Sequence, residues 1–222
     1  DISGIRSILN PASSAGSLVL QSICNSIIVS SVGGFVSVSI AYLLAKQRLG
    51  RSRILLISTV GISSAFLSVG LLYTHIISSF SAVILFGFGC VLNSVPVAYL
   101  FLSPHVESFD RSLIEAAQIS GAGSWSIFRR IEFPILFSVI ASSLLQVWMI
   151  IFGEFTIAYT MQIQDVFPLA SITAFTLESS HQLKEGTALS GLMICIVLLL
   201  CVTNGFIFHK ISRRRGPVNE DQ

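Results

Sequence analysis

An acidic residue followed by small side chains marks a polar stretch between two long apolar runs: Glu115, then Ala116 and Ala117. The spacing predicts a short helix that ends at Gly121, because glycine permits the sharp turn that closes a helix. A second short helix is expected at Trp125–Ile131. A helix of small side chains can enter a groove on a partner, where the carboxylate of Glu115 would pair with an arginine. We interpret the stretch as a docking helix-turn-helix, and a loop that only joins two helices stays open as the alternative.

Other polar residues lie within or beside apolar runs. Glu154 is expected near the outer end of a membrane helix, and an ionisable group at such depth suggests a place on a substrate path; a solvated position at the interface is the alternative. Gln21, Asn25 and Asn93 are expected to form hydrogen bonds between helices. Four possible metal ligands lie in the segment 160–185: Asp165, Glu178, His181 and Glu185. Their spacing fits no compact metal site.

The sequence lacks the common catalytic motifs. It contains no G-x-x-x-x-G-K-[ST], no G-x-S-x-G and no H-E-x-x-H, the signatures of a phosphate-binding loop, a nucleophile elbow and a zinc protease. Cys24, Cys90, Cys195 and Cys201 lie in apolar runs without a neighbouring histidine, and we interpret them as small hydrophobic residues. We therefore predict no catalytic residue, no metal, no cofactor and a chain that is not an enzyme.

The composition places these residues in a membrane protein. Hydrophobic residues make up 53% of the 222 residues and charged residues 11%, whereas a soluble domain has about 25% charged residues. The formal net charge of +2 gives no electrostatic footprint for nucleic acid. Five apolar segments are long enough to cross a bilayer as helices. Their approximate bounds are Leu18–Ala45, Ile54–Tyr73, Ser81–Leu102, Ile135–Thr156 and Gly186–Phe208.

Basic residues concentrate in alternate connections between these segments. Eleven of the thirteen Lys and Arg residues lie between the first and second, between the third and fourth, or after the fifth. The positive-inside rule assigns these regions to the cytoplasm. The predicted fold is all-α and polytopic, with an outer segment 1–17, a transmembrane domain 18–208 that includes a cytoplasmic loop at 112–134, and a cytoplasmic basic tail 209–222 attracted to anionic lipid.

The stretch Glu115–Pro134 resembles the EAA loop of binding-protein-dependent ABC importer permeases. The shared pattern is Glu-Ala-Ala, three residues, Gly, nine residues, Ile, one residue, an apolar residue and Pro. The matching positions are Glu115, Ala116, Ala117, Gly121, Ile131, Phe133 and Pro134. Phe133 departs from the leucine usual in the family. Over most of residues 18–210 the chain looks like the second half of the iron(III) and thiamine permeases.

The resemblance implies a type I ABC importer in a bacterial inner membrane. The first short helix of the loop would then couple to ABC ATPase subunits, and a second permease half or subunit would complete the path. An extracytoplasmic substrate-binding protein would dock near residues 160–185, and the cargo would be iron(III) or thiamine. A further segment upstream of Asp1 is also expected.

Two alternatives come from other classes. An ion-coupled secondary transporter should show inverted repeats and charges near the membrane midplane, and Glu154 is the only candidate for such a charge. An intramembrane enzyme would need a catalytic pair at depth, and the sequence shows none.

Overall fold

The computed structural model describes residues 14–47, 58, 63–78, 80–108, 111–180 and 183–214, with the backbone alone at 14, 15, 111 and 207–214. Within these ranges every regular element is helical, which confirms the predicted all-α, polytopic class. The helices are α1 (Ser14–Lys46), α2 (Ser64–Ser78), α3 (Ala82–Glu107), α4 (Arg111–Ile119), α5 (Ser124–Ile127), α6 (Phe133–Phe152), α7 (Thr156–Thr160), α8 (Ala170–Ser179) and α9 (Leu183–Arg214). A π turn, Phe128–Glu132, joins α5 to α6, and a 3-10 turn, Ile163–Asp165, lies between α7 and α8.

Four helical stretches of the described chain are long and apolar enough to cross a membrane. They are Gly16–Lys46, Ala82–Glu107, Ser124–Thr160 and Leu183–Phe206, and they correspond to the first, third, fourth and fifth predicted segments. Large apolar side chains such as Phe66 and Phe206 are exposed on the helices, as expected where lipid is the solvent.

The second predicted segment is represented by α2. This apolar helix has 15 residues and ends at Ser78, five residues beyond the predicted end at Tyr73. Most of the predicted first half, residues 54–62, lies outside the described residues. The same holds for most of the predicted outer segment 1–17, and for residues 215–222 of the predicted tail.

A stripe of small residues lets α1 pack closely against α3 and α6. The buried small residues of α1 include Ser22, Ser26, Ser30, Ser37, Ala41 and Ala45. The Oγ atoms of Ser37 and Ser94 are 2.7 Å apart, so α1 and α3 touch at this level. On the α6 side, a Cβ at Gly33 would lie 2.9 Å from Cδ1 of Ile151. In lipid, such close approach replaces the hydrophobic drive with dispersion contacts and weak hydrogen bonds.

The chain folds back after α6, through residues 153–179, which we name the return segment. Its apolar side chains Ile157, Ile163 and Ile172 are fully buried and join Tyr99 and Ile151 in the main core. A smaller core forms where α8 meets α1 and α9; it consists of Val19, Ala174, Leu177 and Leu189. The return segment is therefore an integral part of the fold and positions the residues that precede it.

Candidate functional site

The predicted docking helix is present as α4, and its end is fixed by glycine. The Gly121 N–H donates to the Gln118 carbonyl at 2.9 Å, and the Ala122 N–H donates to the Ala117 carbonyl at 3.0 Å. Gly121 has φ of +78°, a left-handed conformation that side chains with a Cβ rarely adopt. These bonds satisfy the last carbonyls of the helix. The structure thus confirms the predicted end of the helix and gives the physical reason for glycine at this position.

Large apolar side chains are exposed on α4 and just beyond it, although this stretch of the sequence is polar. Ile119 is 88% exposed and Trp125, just beyond the turn, is 71% exposed. Glu115 and Ala116 are also exposed, whereas Ala117 is half-buried. Exposed large apolar groups beside an exposed carboxylate, here that of Glu115, are typical of a surface that a partner covers. The geometry of α4 agrees with docking.

The predicted second short helix, Trp125–Ile131, is not a separate helix, and this is a correction. α5 continues through the π turn into α6 without a break, and the Phe133 N–H donates to the Phe128 carbonyl five residues back. Pro134 lies in the first turn of α6. A proline ring clashes with the carbonyl four residues before it in an α-helix. The wider π turn places that carbonyl differently, so the helix can run on through Pro134.

A buried carboxylate, which the sequence reasoning missed, connects this loop to α1. The Lys46 Nζ lies 2.8 Å from Glu132 Oε1 and 3.0 Å from Oε2, and the Tyr42 hydroxyl donates to Oε2. The Glu132 side chain is 5% exposed, and that of Lys46 is 50% exposed. A buried charge needs such partners, because it has lost its hydration. We name Tyr42, Lys46 and Glu132 the Glu132 cluster.

The sequence did carry a weak signal for this cluster. Glu132 is an acid directly before the apolar run of α6. Arg129 and Arg130 are enough to orient this end of α6 toward the cytoplasm, so the acid has no role in orientation. Lys46 was counted only as one of the basic residues that set orientation. Lys46 and Glu132 are 86 positions apart, and no local sequence pattern predicts a contact over such a distance. The contact depends on how α1 packs against the start of α6.

Aromatic rings line the same junction. The ring centroids of Trp125 and Phe128 are 5.5 Å apart, those of Phe128 and Tyr42 are 5.7 Å apart, and those of Phe128 and Phe133 are 5.9 Å apart. Contacts at such distances are favourable for tilted rings. Phe133, which departs from the usual leucine, therefore belongs to a row of rings that leads from exposed Trp125 to α1.

A cavity of about 290 Å³ lies between α4 and the end of α1. Glu115 and Gln118 of α4 line it, together with Lys46, Glu132 and Glu107. The candidate docking residue Glu115 and the Glu132 cluster thus face one space. Ile131 of the predicted motif lies in the π turn and is half-buried.

Glu154 lies at the opposite end of α6, in the break after the helix rather than within it. Its Oε1 accepts the N–H of Ile157 at 3.1 Å, which caps the start of α7, and its Oε2 accepts the Asn93 amide at 3.4 Å. The Glu154 carbonyl accepts the Ser171 hydroxyl at 2.9 Å. Asn93 was predicted to bond to another helix, whereas its partner Glu154 lies in the break after α6. The carboxylate organises the beginning of the return segment.

Three aromatic rings form a second cluster on the return segment. Phe155 and Tyr159 stack with centroids 5.2 Å apart, and Phe175 meets them edge-on at 5.3 and 5.6 Å. Tyr159 and Phe175 are exposed. We name Phe155, Tyr159 and Phe175 the aromatic triad. Sequence reasoning did not single it out, because the return path brings α8 back onto α7.

The remaining predicted site residues are scattered. Asn25 donates to the Pro168 carbonyl at 3.0 Å, so its partner lies outside the helices and not on another helix as predicted, and Gln21 is exposed. Glu178 Oε1 accepts the Ser190 hydroxyl at 3.2 Å, and Asp165 is exposed. His181 lies outside the described residues. Among the residues that the structure does describe, no three His, Cys, Asp or Glu side chains are grouped to hold a metal ion.

Comparison with known proteins assigns the chain to a family. Residues 17–215 match the family described as binding-protein-dependent transport system inner membrane component. The chain belongs to this family. Members are multi-pass membrane permeases, which agrees with the long apolar helices found here.

Three relatives show the range of similar proteins, and the names of two of them mention a solute. The osmoprotective compounds uptake permease GgtC of Synechocystis sp. is 24% identical over 178 residues, 79% of this chain and 62% of the relative. The maltodextrin transport system permease MalC of Streptococcus pneumoniae is 36% identical over 64 residues, 29% of this chain and 15% of the relative. The inner membrane ABC transporter permease YcjO of Escherichia coli is 25% identical over 144 residues, 64% of this chain and 44% of the relative. The chain thus spans less than two thirds of the length of each.

A solved structure shares the fold of this family member. A chain of the MetNI methionine ABC transporter, in inward-facing conformations, superposes with a TM-score of 0.63 at 15% identity, over 90% of this chain and 99% of that chain. None of these names includes iron(III) or thiamine, so the cargo expected from the sequence receives no support from them.

Proposed function

We propose that the chain is the membrane-spanning permease component of an ATP-driven ABC importer, and that α4 docks on an ATPase subunit. The observation that carries this proposal is the exposed α4, in which Glu115, Ala116 and Ile119 face solvent and Gly121 closes the helix. Family membership supports it. Since the sequence has no phosphate-binding loop, ATP hydrolysis belongs to partner subunits.

The proposed cycle uses the two ends of the bundle. ATP-driven closure of two ATPase subunits moves α4, and this movement rocks the membrane helices between inward- and outward-facing states. A nucleotide shifts the equilibrium between the two states only if the ATPase subunits contact the permease differently in each state. The exposed surface of α4 supplies these contacts. The other predicted coupling residues are Ala117 on α4, Ile131 in the π turn, and Phe133 and Pro134 at the start of α6.

The remaining partners follow from sidedness. The basic residues near α4 and at the end of α9 support a cytoplasmic loop and C-terminus. A second permease half or subunit would complete the path, and an extracytoplasmic binding protein would dock on the return segment, where Asp165 is exposed. A bacterial inner membrane is the proposed location.

For the cargo we propose a solute of the class that comprises compatible solutes and oligosaccharides. The names of the relatives GgtC and MalC favour this class, and the aromatic triad beside Glu154 combines apolar rings with a carboxylate, a composition common in ligand sites. Glu154 is accordingly the proposed residue of the substrate path. Uptake by vesicles of a compatible solute, maltodextrin, thiamine and iron(III) would separate the classes. Uptake confined to thiamine or iron(III) would return the cargo to the expectation from sequence.

Association with an ATPase tests the docking proposal. The chain is co-expressed with a candidate ABC ATPase from the same organism and purified in detergent. We expect the ATPase to remain bound to the wild-type chain and to be lost with Glu115→Arg and Gly121→Val. Asp165→Asn, an exposed acid at the far end, is the control and should retain it. Binding that survives both loop substitutions, or uptake that an ion gradient drives without ATP, would contradict the proposal; the second result would favour a secondary transporter.

A further inference from the structure

We propose that the residues of the Glu132 cluster are positioning residues that transmit movement of the ATPase-docking loop to α1, and through α1 to the return segment. This inference rests on the proposed function, because it concerns how docking at α4 reaches the other end of the bundle. It goes beyond that function in naming a specific route and the residues that form it.

The attachment of the loop to α1 is made at two points. The carboxylate of Glu132 contacts Tyr42 and Lys46, which are four residues apart and therefore neighbours on one face of a helix. Two attachments one turn apart resist rotation of α1 as well as sliding. Because the Glu132 side chain is 5% exposed, water cannot easily replace either partner.

A row of packed rings leads from the docking loop to this attachment, from exposed Trp125 through Phe128 to Tyr42. Glu115 of α4 lines the same cavity as Glu132. Movement at α5 therefore reaches the cluster through packed rings.

The other end of α1 holds the return segment. The Asn25 amide donates to the Pro168 carbonyl at 3.0 Å, and the Ser26 hydroxyl accepts the Ala170 N–H at 2.9 Å. A single helix thus contacts the docking loop at one end and the segment that carries the aromatic triad at the other. Spatial continuity alone does not demonstrate coupling, so the test must measure a response at both ends.

The experiment compares amide hydrogen exchange with and without ATP plus vanadate, in the complex of the full chain with its ATPase subunits. In the wild type we expect nucleotide to change exchange in α4 and in residues 160–170. In Glu132→Gln, the response of α4 should persist while the response at 160–170 falls about fivefold or more, the lower end of typical coupling between sites. No cargo is needed for this measurement.

Further variants distinguish transmission from simple support of the fold. Lys46→Met should behave as Glu132→Gln, and Lys46→Arg should restore the wild-type response. Tyr42→Phe removes one hydroxyl only and serves where Glu132→Gln folds poorly; an intermediate response is expected. The control is Ser31→Ala, which removes another bond between α1 and α6, from Trp148 Nε1 to Ser31 Oγ at 3.3 Å, and should leave both responses unchanged.

The outcomes separate this inference from the proposed function. An unchanged response at 160–170 in Glu132→Gln and Lys46→Met would overturn transmission through the cluster. Loss of the α4 response in the same variants would also overturn it, because Glu132 would then only hold the docking surface in place. A wild-type α4 that does not respond to nucleotide would instead refute the docking of α4, and with it the proposed function.

Discussion

Asn25 and Pro168 are 143 positions apart in the chain, yet the Asn25 amide donates to the Pro168 carbonyl at 3.0 Å. The bond joins the first long helix to a segment without regular structure. A backbone carbonyl in such a segment needs a partner where water is scarce, because an unsatisfied polar group is costly in an apolar environment. The asparagine therefore serves the fold, as a fixed point for the return segment.

We expect Asn25→Ala to lower the stability of the purified chain by about 1 kcal/mol, within the range of about 0.6–2 kcal/mol for hydrogen bonds between membrane helices. Gln21→Ala, one turn earlier on the same helix and exposed, should have little effect. Thermal unfolding in detergent measures both. Equal effects of the two substitutions would show that the bond to Pro168 contributes nothing.

Gly121→Ala should loosen α4 by about 1 kcal/mol, because a left-handed φ is strained for a residue with a Cβ. Space is not the cause, since no atom lies within 4 Å of the added Cβ. Amide exchange in α4 should accelerate about fivefold, the factor that corresponds to this energy.

The matched control is Gly123→Ala. Gly123 has equally open space, but its φ is −69°, which any residue adopts. Its exchange should stay near that of the wild type. If both alanines accelerate exchange alike, the requirement at Gly121 is not conformational.

Gly186→Ala should destabilise the contact of α8 with α9. An added Cβ would lie 2.6 Å from Glu178 Cγ and 3.0 Å from the Ala174 carbonyl oxygen, and the backbone atom cannot move aside cheaply. Overpacking of this kind costs about 1–3 kcal/mol. Gly191→Ala, on the same helix with open space around it, should be neutral or stabilising by up to about 1 kcal/mol. Thermal unfolding in detergent compares them, and a stable Gly186→Ala would refute the close approach.

Glu154→Gln should retain stability, because an amide oxygen can still accept the Ile157 N–H. Its NH2 group can donate to Oδ1 of Asn93 once the Asn93 amide rotates by half a turn. Glu154→Ala removes both bonds and should cost about 1 kcal/mol, as loss of a helix cap does. Unfolding of the two variants side by side measures the difference. If glutamine is as harmful as alanine, the charge itself is required at this position.

Local chemistry in the sequence was enough for several features. Apolar runs of sufficient length gave four of the spanning stretches, and the Gly121 position gave the end of α4. Both depend on residues that are neighbours in the chain. The first half of the loop, which is α4 with its end at Gly121, therefore matched its prediction closely.

The missed features depend on distant contacts. The pairing of Glu132 with Lys46 requires the end of α1 to meet the start of α6. The break at Glu154 requires Asn93 and Ser171 to donate hydrogen bonds to the carboxylate and the carbonyl of Glu154. The π turn before Pro134 is a response to a steric conflict within a helix that continues, whereas the sequence suggested two separate helices. Helical propensity alone does not distinguish these cases.

The uninterrupted run from α5 through the π turn into α6 has a mechanical consequence. Its segments of 4, 5 and 20 residues form one rod about 43 Å long at the usual rise per residue. Its backbone stays helical from Trp125 at one end to Phe152 at the other. A tilt of about 5° about a pivot near Trp125 would displace the Phe152 end by about 4 Å at this length. A small rotation of the rod at its exposed tip is therefore sufficient, by leverage alone, to open or close a gap the width of a side chain at the far surface.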